Sequence, residues 1–378
     1  MYKLKFLFGI FCVGIAIFAL TACGANAEGE ITGMHDYEHD HAHSHSHHDH
    51  DHDHLAFEFY IHGEYGHINV YSSRHFAADE QLFRSFTEAT GIGVNVIYAG
   101  SGQFVERLRI EGSATPADLI ITEDGGVISH AKSIGLLQSV NSDVLNQNIP
   151  LNFRDNDNYW FALSYRARVL AVAADTLSTN IPQTYQDLAS GRFDVLLRPG
   201  GHIYNISLLA SLIDIYGYDY ALRWAMDVFN SRARNPQGND RDQAAAIAAG
   251  IGDIALINSY YLGLLLSSNN PEEVMVGQNL QLIFPNQQNS GTHINISAMA
   301  VPYYSSNLEG AVSFMEFATD VAQQSFIANA NYEFPVNDKA EVPYFLREFM
   351  PFEIQNIDFA TLYENHILAV QILNIVGW

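Results

Sequence analysis

The chain has 378 residues, a formal net charge of −24 at pH 7 and a hydrophobic fraction of 48%. This composition is typical of a globular protein that is long enough for two lobes rather than one core. So acidic a chain is a poor candidate for binding nucleic acid or anionic lipid, and a plausible one for binding cations.

The N-terminus, "MYKLKFLFGIFCVGIAIFALTAC", combines Lys3 and Lys5 with an apolar stretch from Phe6 to Leu20. This pattern predicts a secretory signal peptide, and its apolar stretch is short for a membrane span. "LTAC" resembles the lipobox of bacterial lipoproteins, which implies a signal peptide over 1–22 and a lipid on Cys23. The alternative is an uncleaved anchor. Both interpretations place the remainder on the extracytoplasmic face of the cell membrane, periplasmic or at the cell surface.

Residues 23–66 contain the His/Asp-rich run "HDYEHDHAHSHSHHDHDHDH". Because it has no aliphatic side chain larger than alanine, we expect a disordered tether between the lipid and the folded domain. Imidazole and carboxylate groups bind zinc, nickel, copper and ferrous iron, so the tether is either an accessory metal-binding segment or a solvated acidic linker. Its histidines are His35, His39, His41, His43, His45, His47, His48, His50, His52 and His54.

From His67 onward, strand-like and helix-like segments alternate. "HINVYS", "VNVIYA" and "ADLIITED" predict strands, with a helix over "GQFVERLRIEG" between the second and third. "DEQLFRSFTEATG" predicts a helix with Leu82, Phe83 and Phe86 on one face and Gly91 as its stop. This alternation predicts an α/β fold with a largely parallel sheet.

A second α/β set follows "WFALSYRARVLAVAAD", which predicts two extended pieces. The set comprises "FDVLLRP", one long helical stretch from about Ile206 to Phe229, "AAAIAAG", "DIALIN" and "LQLIFP", before the extended run "THINISAMAVP" and a helical tail. Two such units joined by extended crossings predict two lobes with a cleft between them. Ligands of these sheets bind beyond the carboxyl ends of the strands, which is where Tyr260 and Tyr261 follow "DIALIN".

Eight blocks between about Asn69 and Asn337 resemble the ferric-ion-binding proteins of bacterial ABC importers. In chain order they are "NVYSSRHFAADEQLFRSFTEATGIGVNVI", "PADLIITED", "WFALSYRARV", "HIYNISLLAS", "NPQGNDRDQ", "INSYY", "FPNQQNSGTHINIS" and "NYEFPVN".

The resemblance implies a two-lobed periplasmic-binding-protein clamshell (type II) with a two-strand hinge. With it we assign residues 67–163 plus about 287–330 to an N-terminal lobe, and residues 164–286 plus about 331–378 to a C-terminal lobe. It also implies capture of ferric iron and its delivery to an ABC permease with its ATPase subunit. We expect a monomer and no enzymatic activity.

Ferric iron is a hard cation that prefers anionic oxygen, and a phenolate serves well once the metal lowers the pKa of the phenol. The resemblance implies metal ligands at Tyr260 and Tyr261 of "INSYY", and at Tyr204 of "HIYN" on the same lobe. From the opposite lobe it implies His75 of "SSRHF". The tyrosine that usually follows this histidine in the family is Phe76 here.

Because phenylalanine cannot bind a metal, we expect a lower affinity for ferric iron than with a tyrosine at this position. We also expect a smaller difference between the affinities for ferric and ferrous iron. A water, a carbonate or another anion would complete the coordination shell. Arg166, the first arginine of "RAR", is the candidate to hold that anion or to balance phenolate charge, with Arg74 and Arg168 as competitors. Asp124 is predicted to cap a helix rather than to bind metal.

Two other functions remain open from the sequence. A receptor for zinc, ferrous iron or another divalent metal is favoured by the tether, which would hold zinc or nickel, and by His202, two residues before Tyr204. A non-haem iron enzyme with two tyrosine and two histidine ligands is the other alternative. The lipobox argues against it, because the aromatic substrates of such enzymes are cytoplasmic.

Overall fold

A computed structural model describes residues 57–74, 76–176 and 181–378. Its strands are β1 (Phe57–Ile61), β2 (His67–Ser72), β3 (Gly93–Tyr98), β4 (Leu119–Thr122), β5 (Leu137–Gln138), β6 (Phe161–Ala173), β7 (Val195–Leu196), β8 (Ile254–Asn258), β9 (Leu280–Ile283), β10 (Ile294–Pro302) and β11 (Phe334–Pro335).

The helices of the first part of the chain are α1 (Ala77–Thr90), α2 (Ser101–Glu111), α3 (Gly125–Ser133), α4 (Asp143–Asn148), α5 (Tyr185–Leu188), α6 (Ile203–Tyr216) and α7 (Tyr218–Asn230). Those of the second part are α8 (Asp240–Ala248), α9 (Tyr260–Leu266), α10 (Pro271–Gln278), α11 (Leu308–Thr319), α12 (Val321–Asn331), α13 (Tyr344–Arg347) and α14 (Phe359–Val376). Among the described residues, no helix combines the length and apolar character that crossing a membrane requires.

The first β-α-β unit agrees closely with its prediction. Leu82, Phe83 and Phe86 of α1 are at most 1% exposed and pack into the core. The helix ends at Gly91, whose φ of 73° is the left-handed conformation that glycine adopts without a steric penalty. Strands β2 and β3 pair in parallel, as do β2 and β4. Strand β1 pairs antiparallel with β3, although its residues were predicted to belong to the disordered tether over 23–66, so the predicted end of the tether was wrong.

The sheet is mixed rather than largely parallel, so that prediction was wrong. Its strand order is β1-β3-β2-β4-β10-β6-β8-β7, with β11, β5 and β9 attached beside this path. Strand β10 runs antiparallel to both β4 and β6, and β6 runs antiparallel to β8 and β9. The two parallel units are therefore joined through antiparallel strands, which side-chain periodicity alone does not reveal.

Two segment predictions differ from the structure in detail. "FALSYRARVLAVA" forms one continuous strand of 13 residues, β6, whose first half pairs with β10 and whose second half pairs with β8 and β9. The long helix predicted from Ile206 to Phe229 is two helices, α6 and α7. They are separated at Gly217, whose φ of 83° does not continue a helix.

Candidate metal centre

Strand β8 ends at Asn258, and after Ser259 the residues Tyr260 and Tyr261 begin helix α9. Ser259 fixes the turn: its backbone N–H donates to the carbonyl of Ala167 at 2.9 Å, and its hydroxyl accepts from the Ala167 N–H at 3.2 Å. The two tyrosine rings stack with centroids 4.5 Å apart. Both side chains are buried at the carboxyl end of the strand, as their position in the sequence predicts.

Tyr204 brings a third phenol to the same place from helix α6. Its hydroxyl oxygen lies 3.1 Å from that of Tyr260. His202 is the N-cap of this helix, and its Nδ1 accepts a hydrogen bond from the backbone N–H of Tyr204 at 3.3 Å. The fold therefore groups the three tyrosines that the sequence predicted as ligands, although Tyr204 lies 56 positions before Tyr260 in the chain.

Burial raises the pKa of the Tyr260 phenol well above its usual value, and the neighbouring Tyr204 raises it further. Burial also raises the pKa of Tyr204. The positive charge of Arg166 and the hydrogen bond between Tyr204 and Tyr260 both lower this pKa, but burial has the larger effect. Both phenols are consequently protonated at neutral pH in this structure, and a cation that binds them must displace their protons.

Three guanidinium groups surround the ring of Tyr204. Those of Arg166, Arg168 and Arg198 lie 5.3, 5.8 and 5.3 Å from its centroid, respectively. Arg166 and Arg168 share a face of β6 because they are two residues apart. Cations at this distance favour the phenolate form of a tyrosine.

Asp240, at the start of α8, neutralises part of this positive charge. Its carboxylate accepts hydrogen bonds from Arg168 and, at 3.1 Å, from Arg198. Burial alone would raise the pKa of Asp240, but the two arginines hold it below its usual value. Asp240 is therefore the buried counterion of an arginine pair and has no oxygen to spare for a metal.

Arg166 lies beside Tyr204 and is less completely paired than its two competitors. Its side chain donates to the backbone carbonyl of Glu123 and, at 3.3 Å, to Ser297, and the carboxylate of Glu333 is 3.9 Å away. Arg74, by contrast, makes two close ion pairs, at 2.8 and 3.0 Å. This difference leaves Arg166 as the arginine most able to balance an added negative charge, and that role stays a prediction.

Glu123 carries a carboxylate that the sequence did not identify as a candidate ligand. Its backbone carbonyl accepts a hydrogen bond from Arg166, which lies beside Tyr204. Glu123 follows strand β4, and its backbone N–H donates to the hydroxyl of Ser73 at 3.0 Å. Its Oε2 is buried without a hydrogen-bond partner among the described residues, and burial raises the pKa of its carboxyl group. The sequence feature that could have identified Glu123 is its position at the carboxyl end of a predicted strand. The adjacent Asp124 is the predicted cap, and it accepts from the Val127 N–H at 2.8 Å.

Phe76 faces the tyrosines from the segment between β2 and α1. Its ring meets that of Tyr260 edge-on, with centroids 6.3 Å apart and an interplanar angle of 85°. The guanidinium of Arg74 lies over the Phe76 ring, 4.8 Å from its centroid. Phe76, which has no phenol oxygen, therefore lies next to the tyrosine cluster.

The zinc alternative loses its main structural support at His202. Burial lowers the pKa of this imidazole to about 3, so it is neutral. Its Nδ1 lone pair accepts from the Tyr204 backbone N–H, so the hydrogen of the ring is on Nε2 and no free lone pair is left for a metal. Within the described ranges, no group of three or more His, Cys, Asp or Glu side chains is arranged to hold a metal ion.

Three sets of predicted residues lie outside the described residues. They are the metal ligand His75, the lipidated Cys23, and the tether histidines from His35 to His54.

Residues 69–325 match the family of bacterial extracellular solute-binding proteins. Iron uptake protein A1 of Synechocystis sp. is 36% identical over 84% of this chain and 88% of its own length. A ferric binding protein from Campylobacter jejuni is 41% identical, covers 82% of this chain and 99% of its own, and superposes with a TM-score of 0.76. A Trichodesmium protein in complex with iron and citrate is 38% identical over 83% of this chain and 100% of its own, also with a TM-score of 0.76. The predicted α/β clamshell fold is thereby confirmed.

Proposed function

Because the chain belongs to the family of bacterial extracellular solute-binding proteins, we propose that it captures ferric iron outside the cytoplasm and delivers it to the permease of an ABC importer. The names of its relatives in Synechocystis and Campylobacter, which refer to iron uptake and ferric binding, support this proposal. The family is one of solute-binding transport proteins, so the prediction that the chain is not an enzyme is confirmed.

The observation that carries the proposal is the grouping of Tyr204, Tyr260 and Tyr261. A trivalent hard cation is best satisfied by anionic oxygen, and three phenolates would together match its charge. Zinc and ferrous iron favour imidazole more strongly, whereas the described residues converge on phenol oxygens here. The phenol cluster therefore favours ferric iron as the ligand.

We propose Tyr204, Tyr260 and Tyr261 as ligands from one side of the cleft, with His75 and the carboxylate of Glu123 from the other. The buried and unpartnered Oε2 of Glu123 supports its inclusion, because a metal would compensate the cost of burying it. An added carboxylate would also make up for the phenolate that residue 76, a phenylalanine, cannot supply. An oxygen-rich anion such as carbonate, balanced by the guanidinium at position 166, would complete the shell.

The strand pairing supports a division into two lobes. In this proposal β1 to β5 and most of β10 belong to the N-terminal lobe, and β7 to β9 belong to the C-terminal lobe. Strand β6 pairs with β10 up to Ala167 and with β8 from Arg168 onward, so β6 and β10 would be the two hinge strands. The candidate ligands Glu123 and Tyr260 would then lie on opposite lobes, and iron would hold the lobes together.

At the N-terminus, we propose that Cys23 carries the lipid that anchors the protein to the outer face of the cell membrane. The histidine-rich tether would connect this anchor to the domain, and it would bind zinc or nickel weakly. The lipobox-like "LTAC" and the density of imidazole and carboxylate groups support these two assignments.

The experiment that tests the proposed function is a titration of the purified protein with ferric iron, followed by visible absorption. Ferric iron bound to phenolate gives a charge-transfer band, which zinc and ferrous complexes lack. We expect a band that saturates at one ferric ion per cleft, and no band with zinc or with ferrous iron under anaerobic conditions. Tight binding of ferric iron without this band would refute phenolate ligation.

A further inference from the structure

A small cavity lies where strands β6, β8 and β10 meet helix α6. Its volume is about 10 Å³, which is the room that one water molecule or one small ion needs. Except for the partly exposed Tyr204, the residues that line it are at most 6% exposed. They are Arg166, Arg168, Tyr204, Ser207, Asn258, His293 and Asn295.

The polar groups left unused around this cavity are hydrogen-bond donors. Nε of Arg166, Nε of Arg168 and Nδ2 of Asn258 are buried without a hydrogen-bond partner among the described residues. Each of these nitrogens carries hydrogen, and none of them can accept. Leaving buried donors unpaired costs free energy, so three of them around one cavity indicate a bound group that accepts.

The main acceptors of the lining already have partners. His293 donates from Nδ1 to Gln355 at 3.2 Å and accepts at Nε2 from the hydroxyl of Ser207 at 3.0 Å. The oxygen of Ser207 accepts from Nδ2 of Asn295 at 2.9 Å. The side-chain oxygen of Asn295 accepts from two backbone N–H groups, at 3.1 and 2.8 Å. The cavity therefore offers its occupant donors rather than acceptors, which suits an anion better than a water molecule.

The weak pairing of Arg166 points the same way. Among the described residues, the ion pairs around the cavity join four buried guanidinium groups to three carboxylates. The guanidinium groups are those of Arg74, Arg166, Arg168 and Arg198, and the carboxylates are those of Asp79, Asp240 and Glu333. Arg166 has the weakest pairing, because the carboxylate of Glu333 is 3.9 Å away from it and lies closer to Arg74.

We propose that the cavity binds one small inorganic anion, chloride being the common ion nearest to its size. The anion would accept from Arg166, Arg168 and Asn258, and it would supply the weakly paired guanidinium of Arg166 with a counterion. The lining of the cavity includes neither Tyr260 nor Tyr261, so the site differs from an anion that completes the shell of a metal bound to these phenols. The proposal does not depend on the metal that the protein binds.

Crystals of the metal-free protein soaked in sodium bromide test the site directly, because bromide scatters anomalously and replaces chloride. We expect an anomalous peak within hydrogen-bond distance of Asn258 Nδ2 and the two arginine Nε atoms. Density at this point without anomalous signal would mean that a water molecule occupies the cavity, and it would overturn the proposal.

Thermal unfolding in solution gives a second test. At constant ionic strength, replacing gluconate by chloride should raise the Tm along a saturating curve, since a ligand that binds only the folded state stabilises it. Asn258→Asp supplies a tethered anion of the same shape and should abolish the chloride response. Asn279→Asp makes the same change at an exposed position and should retain it. An equal response in both variants would contradict the proposal.

Discussion

The hydroxyl oxygens of Tyr204 and Tyr260 lie 3.1 Å apart, within hydrogen-bond distance, although 56 positions separate the residues in the chain. The hydrogen bond lowers the pKa of Tyr204 and raises that of Tyr260. Tyr204, which also has the three guanidinium groups around its ring, is therefore the phenol of this pair that loses its proton more readily.

Binding of ferric iron should release protons and strengthen as the pH rises. Burial raises the pKa of Tyr204 and Tyr260, so both are protonated in the metal-free protein at neutral pH, and each must lose its proton to bind as phenolate. We therefore expect this pair of phenols to release about two protons per ferric ion. The number of protons released is measured by calorimetry of ferric binding in buffers that differ in ionisation enthalpy. Release of no protons would mean that neutral groups bind the metal.

Replacing Tyr260 and Tyr261 together with phenylalanine should abolish the ferric charge-transfer band and leave the protein folded. The rings and their stacking are kept, and only the two oxygens are lost. The chain offers a matched control in Tyr303 and Tyr304, an adjacent pair that is 57% and 52% exposed. Changing that pair should leave the band intact. Full colour in the Tyr260/Tyr261 variant would exclude these residues as ligands.

The sequence predicted the local parts of this structure better than the long-range ones. The strand and helix around Phe83, the end of β8 before Tyr260 and the cap at Asp124 all follow from periodicity or short motifs. The pairing of Arg168 with Asp240 spans 72 positions and depends on the completed fold. The unpartnered carboxylate oxygen at position 123 depends in the same way on burial, which no local pattern specifies.

Glu123→Gln should weaken ferric binding and change the pH dependence of stability in the metal-free protein. Burial raises the pKa of the Glu123 carboxyl, so its contribution to stability is full below the unfolded pKa and is lost as the pH rises through the folded pKa. Glutamine does not ionise. The variant should therefore gain stability relative to the wild type as the pH rises, in urea unfolding at several pH values. A variant that bound iron with unchanged affinity would exclude Glu123 as a ligand.

Deleting residues 35–54 should leave the folding of the domain and the ferric affinity of the cleft nearly unchanged. The segment ends before β1, the first described strand, and contributes no large aliphatic side chain. Its loss should remove several weak sites for zinc or nickel, because ten imidazoles are deleted with it. Calorimetry with zinc measures the stoichiometry of both proteins. An equal zinc stoichiometry would show that the tether does not bind metal.

Phe76→Tyr should tighten ferric binding. The ring of Phe76 lies 6.3 Å from that of Tyr260, and the guanidinium of Arg74 lies 4.8 Å from the Phe76 ring centroid, so a phenol oxygen there would be near both the cluster and a cation. One added anionic ligand should contribute at least about one decade of affinity, or roughly 1.4 kcal/mol. Competition with a chelator measures this gain, and the charge-transfer maximum should shift. Phe59→Tyr is the control. Phe59 belongs to strand β1, and its ring also lies beside an arginine, Arg84 of α1. If Phe76→Tyr and the control had the same spectrum and release rate as the wild type, Phe76 would not face the metal.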